Sequence, residues 1–80
     1  MKLPRDVSGA ELARRLALCG YRTTGQTGSH IRLTTDVPSQ HHVTMPAHDT
    51  LKIGTLSSIL SDVAAHARIS LEDLKQKLFG

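Results

Sequence analysis

The sequence predicts a two-layer α+β domain, with a three-stranded antiparallel sheet and helices covering one of its faces. Segments with helical periodicity lie towards both ends of the chain, and each begins at a capping residue. Between them are three short segments rich in strand-forming residues, separated by turn residues. A sheet with one apolar face needs a cover, which the flanking helices can supply. The expected order is one helix, three strands, then one or two helices.

Length and composition predict one small domain spanning residues 1–80, with a modest core. Ten Lys and Arg residues against seven Asp and Glu residues give a net charge of +3, which weakly favours a polyanionic partner. The aromatic residues are Tyr21 and Phe79. Two aromatic rings argue against the base-stacking platform found in many single-strand binding proteins.

Cysteine usage and hydropathy predict where the protein works. A single cysteine, Cys19, excludes an internal disulfide and suits a reducing compartment. No segment approaches the roughly 20 apolar residues of a membrane span, and Met1-Lys2-Leu3-Pro4 does not resemble the start of a secretory signal. We therefore expect a cytoplasmic protein with no membrane partner.

The first helix is predicted from a capping box. Ser8 and Glu11 have the spacing at which each side chain can cap the backbone amide of the other. Leu12 and Leu16 then recur at helical spacing, and Gly20 can supply the left-handed residue that ends a helix.

Three strands are predicted at about residues 21–24, 29–35 and 41–45. Turn residues join them at 25–28 and 36–39, so the strands should form an antiparallel meander.

Alternation assigns the side chains to the two faces of this sheet. Ile31 and Leu33 should meet the helices. The open face, or its edge, should carry His30, Arg32, Thr34, His42 and Thr44.

Two helices are predicted after an irregular loop at residues 47–54. Thr55 is the expected cap of the second helix, which has the strongest helical period in the chain, and His66 should face solvent on it. Ser70 is the expected cap of a short third helix.

The candidate chemistry centres on His30, which follows Gly28-Ser29 at the start of the second strand. An imidazole can take up and release protons near neutral pH, so His30 is a candidate general base or acid. Arg32 lies two residues further on the same face, where a guanidinium could hold a phosphate. Lys52 directly precedes the second helix, whose first amides could also receive a phosphate. The most common role for a serine at the position of Ser29 is to satisfy turn amides.

The residue spacing gives little support for a metal site or for a Ser-His-Asp catalytic set. His41 and His42 are adjacent on a strand and should point to opposite faces, so at most one could join His30 in a metal site. The chain has no paired cysteines and no H-x-x-x-H motif. We therefore expect no metal and no other cofactor, and no Ser-His-Asp set can be assembled.

One proton-transfer group among anion-binding groups suits RNA better than DNA. RNA carries its own nucleophile, the 2′-hydroxyl, so a protein need only remove its proton, stabilise the phosphate charge and protonate the leaving oxygen. Two alternatives stay open: a non-catalytic RNA-binding or protein-interaction module, and a small domain stabilised by a metal ion.

The order of these motifs resembles the HicA-type toxins of toxin-antitoxin pairs over nearly the whole chain. The resemblance includes Cys19-Gly20-Tyr21, Gly28-Ser29-His30 and Val43-Thr44-Met45-Pro46-Ala47-His48. It also includes Leu3-Pro4-Arg5, Ser8-Gly9, Gln26, Leu51-Lys52, Gly54-Thr55-Leu56 and Ile59-Leu60. The chain differs from the usual family pattern in having Thr27 rather than a basic residue before Gly-Ser-His.

The resemblance implies a fold like that of double-stranded-RNA-binding domains and an endoribonuclease that cleaves mRNA. The chemistry above predicts that this cleavage needs no metal. The catalytic histidine would be His30, with Gly28 and Ser29 shaping the turn and offering backbone donors. The implied partner is a HicB-type antitoxin, which would bind the toxin and mask that histidine.

Overall fold

The computed structural model describes residues 3–80; Met1 and Lys2, at the start of the chain, lie outside the described residues. Its α-helices are α1 (Gly9–Leu16), α2 (Ile53–Ala67) and α3 (Leu71–Phe79), and a 3-10 turn (Ala17–Cys19) extends α1. The strands are β1 (Arg22–Gln26), β2 (His30–Thr35) and β3 (His41–Pro46). The strands form one antiparallel sheet in the order β1-β2-β3. The predicted α+β architecture is confirmed.

The ends of α1 follow the capping residues in the sequence. Ser8 Oγ accepts a hydrogen bond from the Glu11 amide at 2.9 Å. Gly20 ends the 3-10 turn with φ 86°, a left-handed conformation that glycine adopts without strain. In α3, Ser70 Oγ accepts from the Asp73 amide at 3.0 Å. These predicted helix ends are confirmed.

The predicted start of α2 is wrong. The helix begins at Ile53, and Lys52 occupies the capping position with extended backbone and no side-chain cap. Thr55 lies inside the first turn of the helix and does not cap it. The second helix therefore takes in residues that we assigned to the loop at 47–54, because an uncapped helix leaves no sequence signal at its start.

The core lies between the sheet and the helices. Ile31, Leu33, Val43 and Met45 are buried on the covered face of β2 and β3. The helices bury leucines against them, among which Leu12, Leu16, Leu56, Leu60 and Leu74 have no exposed surface. This one-sided burial leaves the opposite face of the sheet open, as predicted.

Two side chains near the start of β3 depart from the predictions. Tyr21 precedes β1 rather than opening it, and its side chain is buried. His66 is half-buried rather than solvent-facing: its ring stacks on His41, with 4.3 Å between centroids, and its Nε2 donates to the Ser39 carbonyl at 2.9 Å. Contacts between residues so far apart in the chain leave no local signal.

Candidate active site on the open sheet face

His30 is the first residue of β2 and lies opposite Pro46, the last residue of β3. Its side chain is exposed. Two hydrogen bonds with Thr27 fix the backbone of His30. The His30 amide donates to Thr27 Oγ1 at 3.2 Å, and the Thr27 amide donates to the His30 carbonyl at 3.0 Å. The His30 backbone is thus held by sheet and turn while its ring remains accessible.

Ser29 contacts the ring of His30 directly. Ser29 Oγ lies 3.0 Å from His30 Nδ1, within hydrogen-bond distance. The Ser29 carbonyl accepts from the Ala47 amide at 2.9 Å, which anchors the serine to the end of β3. We expected Ser29 to satisfy turn amides, and this was wrong, because Thr27 does so instead. Ser29 precedes the strand, so the alternation of strand side chains does not separate it from His30.

An open cavity of about 310 Å³ lies beside His30 on the open face. Arg32 and Thr44, which pair across β2 and β3, line it together with residues at the end of β1 and in the following turn. Its lining residues are Gly25, Gln26, Thr27, His30, Arg32 and Thr44. The structure therefore brings His30 and Arg32 to one cavity.

A β-bulge in β1 shapes this cavity. Thr23 pairs with Leu33, and Gly25 rather than Thr24 pairs with Arg32. The extra residue therefore places a position without a side chain opposite the arginine. Bulges often occur next to functional sites because they redirect side chains. A bulge leaves the composition of a strand unchanged, and sequence reasoning missed this one.

Gly28 and Lys52 have different relations to the cavity. Gly28 is exposed in the turn before His30, and within residues 3–80 the amides of Gly28 and Ser29 form no hydrogen bond. Both amides are therefore available to an anion. Lys52 directly precedes α2, as predicted, and its side chain is exposed, but it does not line the cavity.

His42 and Thr44 also lie on the open face, as predicted. Thr34 shares this face but is buried beneath its neighbours. Its hydroxyl lies 2.8 Å from His42 Nδ1 and 2.7 Å from Thr24 Oγ1. This hydroxyl network holds the His42 ring in one orientation.

Across residues 3–80, no group of three or more His, Cys, Asp or Glu side chains is arranged to hold a metal ion. No helix in this part of the chain is both long enough and apolar enough to span a membrane.

Comparison with known proteins assigns the family. A sequence model described as the HicA toxin of bacterial toxin-antitoxin systems matches residues 9–64, which include α1, the sheet and most of α2. No curated protein and no solved structure matches the chain, so the likeness to double-stranded-RNA-binding domains stays a prediction. The match covers well over half of the sequence, and the chain belongs to the HicA toxin family of bacterial toxin-antitoxin systems.

Proposed function

We propose that this toxin is a metal-independent endoribonuclease acting on mRNA, with His30 as its catalytic residue. The observation that carries the proposal is the exposed His30 ring beside Arg32 in one open cavity, with Ser29 Oγ 3.0 Å from its Nδ1. A proton-transfer group and a cation at one site are what attack by a 2′-hydroxyl on the adjacent phosphate requires.

The geometry suggests how His30 acts. When Ser29 Oγ accepts a hydrogen bond from Nδ1–H, the Nε2 lone pair is available to take the proton of the 2′-hydroxyl. The hydroxyl can keep accepting from Nδ1–H after Nε2 is protonated, so the ring holds its orientation through the step. The 2′-oxygen attacks phosphorus, and the bond to the 5′-oxygen breaks. That oxygen takes up a proton from solvent, leaving a 2′,3′-cyclic phosphate and a 5′-hydroxyl, and His30 Nε2 then returns its proton to solvent.

Phosphate charge in this reaction would be stabilised by Arg32 and by the unpaired amides of Gly28 and Ser29. A guanidinium can bind two phosphate oxygens at once. Lys52 lies outside the cavity and would bind a phosphate further along the RNA.

The test replaces His30 by alanine. Cleavage of a single-stranded RNA should fall by about 10²- to 10⁴-fold, the usual contribution of a general acid or base. The melting temperature should not change, because the His30 ring is exposed. The parent should remain active in excess EDTA and leave cyclic phosphate ends. Equal cleavage by the two proteins would refute the role of His30, and RNA binding without cleavage by the parent would favour a non-catalytic module.

The antitoxin partner follows from the family, and we propose that it is of the HicB type and covers the His30 cavity. An exposed catalytic group needs a cover when the toxin is held inactive. In an NMR titration with the antitoxin, the His30 ring protons should shift and RNA cleavage should stop. Inhibition that leaves the His30 signals unchanged would place the antitoxin elsewhere.

A further inference from the structure

A second cavity of about 330 Å³ adjoins the His30 cavity. It lies between β3 and α2 and is lined by His42, Val43, Thr44, Ser58, Ile59 and Asp62. Thr44 lines both cavities, so they are neighbours on one surface. An RNA strand with its phosphate beside His30 can therefore place an adjacent nucleotide in the second cavity.

The charges of the two cavities are opposite. Arg32 is the charged residue in the lining of the His30 cavity, whereas Asp62 supplies a carboxylate to the second. A carboxylate repels a phosphate and attracts groups that donate hydrogen bonds. The second cavity is therefore suited to a nucleobase rather than to the RNA backbone.

A chain of contacts leads from the core to Asp62. Tyr21, which is buried, has its hydroxyl 2.7 Å from His41 Nδ1, and His41 Nε2 lies 3.4 Å from Asp62 Oδ1. The His41 ring is fixed further by its stacking on His66. Within residues 3–80, Asp62 Oδ2 makes no hydrogen bond. One carboxylate oxygen thus contacts His41, and because each oxygen carries two lone pairs, both oxygens can accept hydrogen bonds from a ligand.

His42 supplies a planar ring on the other side of the cavity. Its Nδ1 lies 2.8 Å from Thr34 Oγ1, and the ring is exposed to solvent. Proteins that recognise unpaired RNA bases stack them on rings of this kind and bind their Watson–Crick edges through hydrogen bonds. Ser58 adds a hydroxyl that can donate or accept.

We propose that this cavity, formed by His42, Ser58 and Asp62, binds an unpaired guanine next to the cleaved phosphate. Guanine presents two adjacent donors, N1–H and the N2 amine, on its Watson–Crick edge, and a carboxylate can accept from both. Uracil presents one N–H there, and adenine and cytosine present one amine each. The inference rests on the proposed ribonuclease function, since it assigns a base subsite to that reaction.

The test measures RNA binding and cleavage separately. In the non-cleaving His30→Ala protein, a short oligouridylate with one guanosine should bind about tenfold more tightly than the same oligomer with adenosine. Inosine, which lacks the N2 amine, should fall between them. Adding Asp62→Asn should abolish the guanosine preference, and Ser58→Ala should reduce it. Adding Asp73→Asn, which neutralises an exposed carboxylate on α3, should leave it intact.

Cleavage mapping on a randomised RNA then distinguishes the two hypotheses. The parent should cut beside guanosine, and Asp62→Asn, if it melts like the parent, should cut with this preference lost. Cleavage by the parent without base preference would overturn the guanine subsite and leave the ribonuclease function standing. Guanosine-selective binding through Asp62 without cleavage would support the guanine subsite and overturn the ribonuclease function. Equal binding of all oligomers, or an unchanged preference in Asp62→Asn, would also overturn the subsite.

Discussion

Ser29 Oγ lies 3.0 Å from His30 Nδ1, so the residue before the candidate catalytic histidine fixes one nitrogen of its ring. This contact occupies Nδ1 and leaves Nε2 as the ring nitrogen available for proton transfer. Removing it should affect turnover more than RNA binding, because the ring would rotate freely while the phosphate-binding groups stay in place.

Replacing Ser29 by alanine should therefore lower kcat by about tenfold, the effect of losing one hydrogen bond of about 1 kcal/mol or slightly more. KM should stay close to that of the parent. Ser29→Thr keeps the hydroxyl and should restore most of kcat, and Ser61→Ala, an exposed serine on α2, serves as the control. A rise in KM with unchanged kcat would show that Ser29 binds RNA rather than positioning His30.

Arg32 pairs with Thr44, lines the His30 cavity with it and is exposed on the open face. Replacing it by alanine should weaken RNA binding by roughly tenfold and lower the slope of affinity against salt by about one ion, as expected for the loss of one phosphate contact.

Arg14→Ala is the matched control for this change. Arg14 lies on α1 and pairs with Glu11 at 3.0 Å, so its loss removes the same formal charge away from the open face. Titrations of both variants with a labelled oligoribonucleotide at several salt concentrations would distinguish a phosphate contact at Arg32 from a general effect of net charge. Similar losses in both variants would mean that net charge, rather than a contact at Arg32, determines affinity.

Gly9 is buried at the start of α1, where its Cα lies against the Pro46 carbonyl at the end of β3. A Cβ at this position would collide with that backbone oxygen, so Gly9→Ala should destabilise the protein by about 1–3 kcal/mol, the usual cost of overpacking. Pro46 lies opposite His30, so the displacement would also disturb the candidate active site.

Gly54→Ala, unlike Gly9→Ala, should stabilise the protein. A Cβ there meets nothing within 4 Å, and the residue lies in the first turn of α2. Alanine should therefore stabilise the helix by up to about 1 kcal/mol. Thermal melts of both variants would measure the difference. A Gly9→Ala protein as stable as the parent would show that the contact between α1 and β3 is loose.

The placement of His30 and Arg32 on one face could be predicted because strand alternation is local and β2 is regular. The details that shape the site could not be predicted from the sequence. The bulge at Thr24 depends on how β1 pairs, and the start of α2 at Ile53 has no side-chain cap to reveal it. The contact of Ser29 with His30 depends on a strand boundary that sequence signals locate only to within a few residues.

The same limit explains why the support for Asp62 was missed. Tyr21, His41, Asp62 and His66 come from the segment before β1, from β3 and from α2, so only the packing of sheet and helix brings them together. Each residue alone looks like an ordinary surface or core position.

Tyr21 makes this cluster sensitive to alkaline pH. Burial, reinforced by the negative charges of Asp62 and Cys19, raises the pKa of Tyr21 from 10.0 to about 12. The unfolded chain releases the phenolic proton near pH 10, whereas the folded protein keeps it to about pH 12. The stabilisation is therefore complete below pH 10 and is lost as pH rises through 12, by an amount on the order of 2 kcal/mol. Urea melts across this range would measure the loss, and Tyr21→Phe should lack this component.

Replacing Asp62 by asparagine should lower the pKa of Tyr21 without returning it to 10.0, because burial is the larger cause of the shift and remains in the variant. The chain has one tyrosine and no tryptophan, so ultraviolet absorbance of the phenolate reports this group alone. Asp73→Asn on α3 removes the same charge without altering the cluster and should leave the titration unchanged. An identical midpoint in Asp62→Asn and the parent would show that Asp62 is electrostatically uncoupled from Tyr21, and would remove the support for a carboxylate held in place from the core.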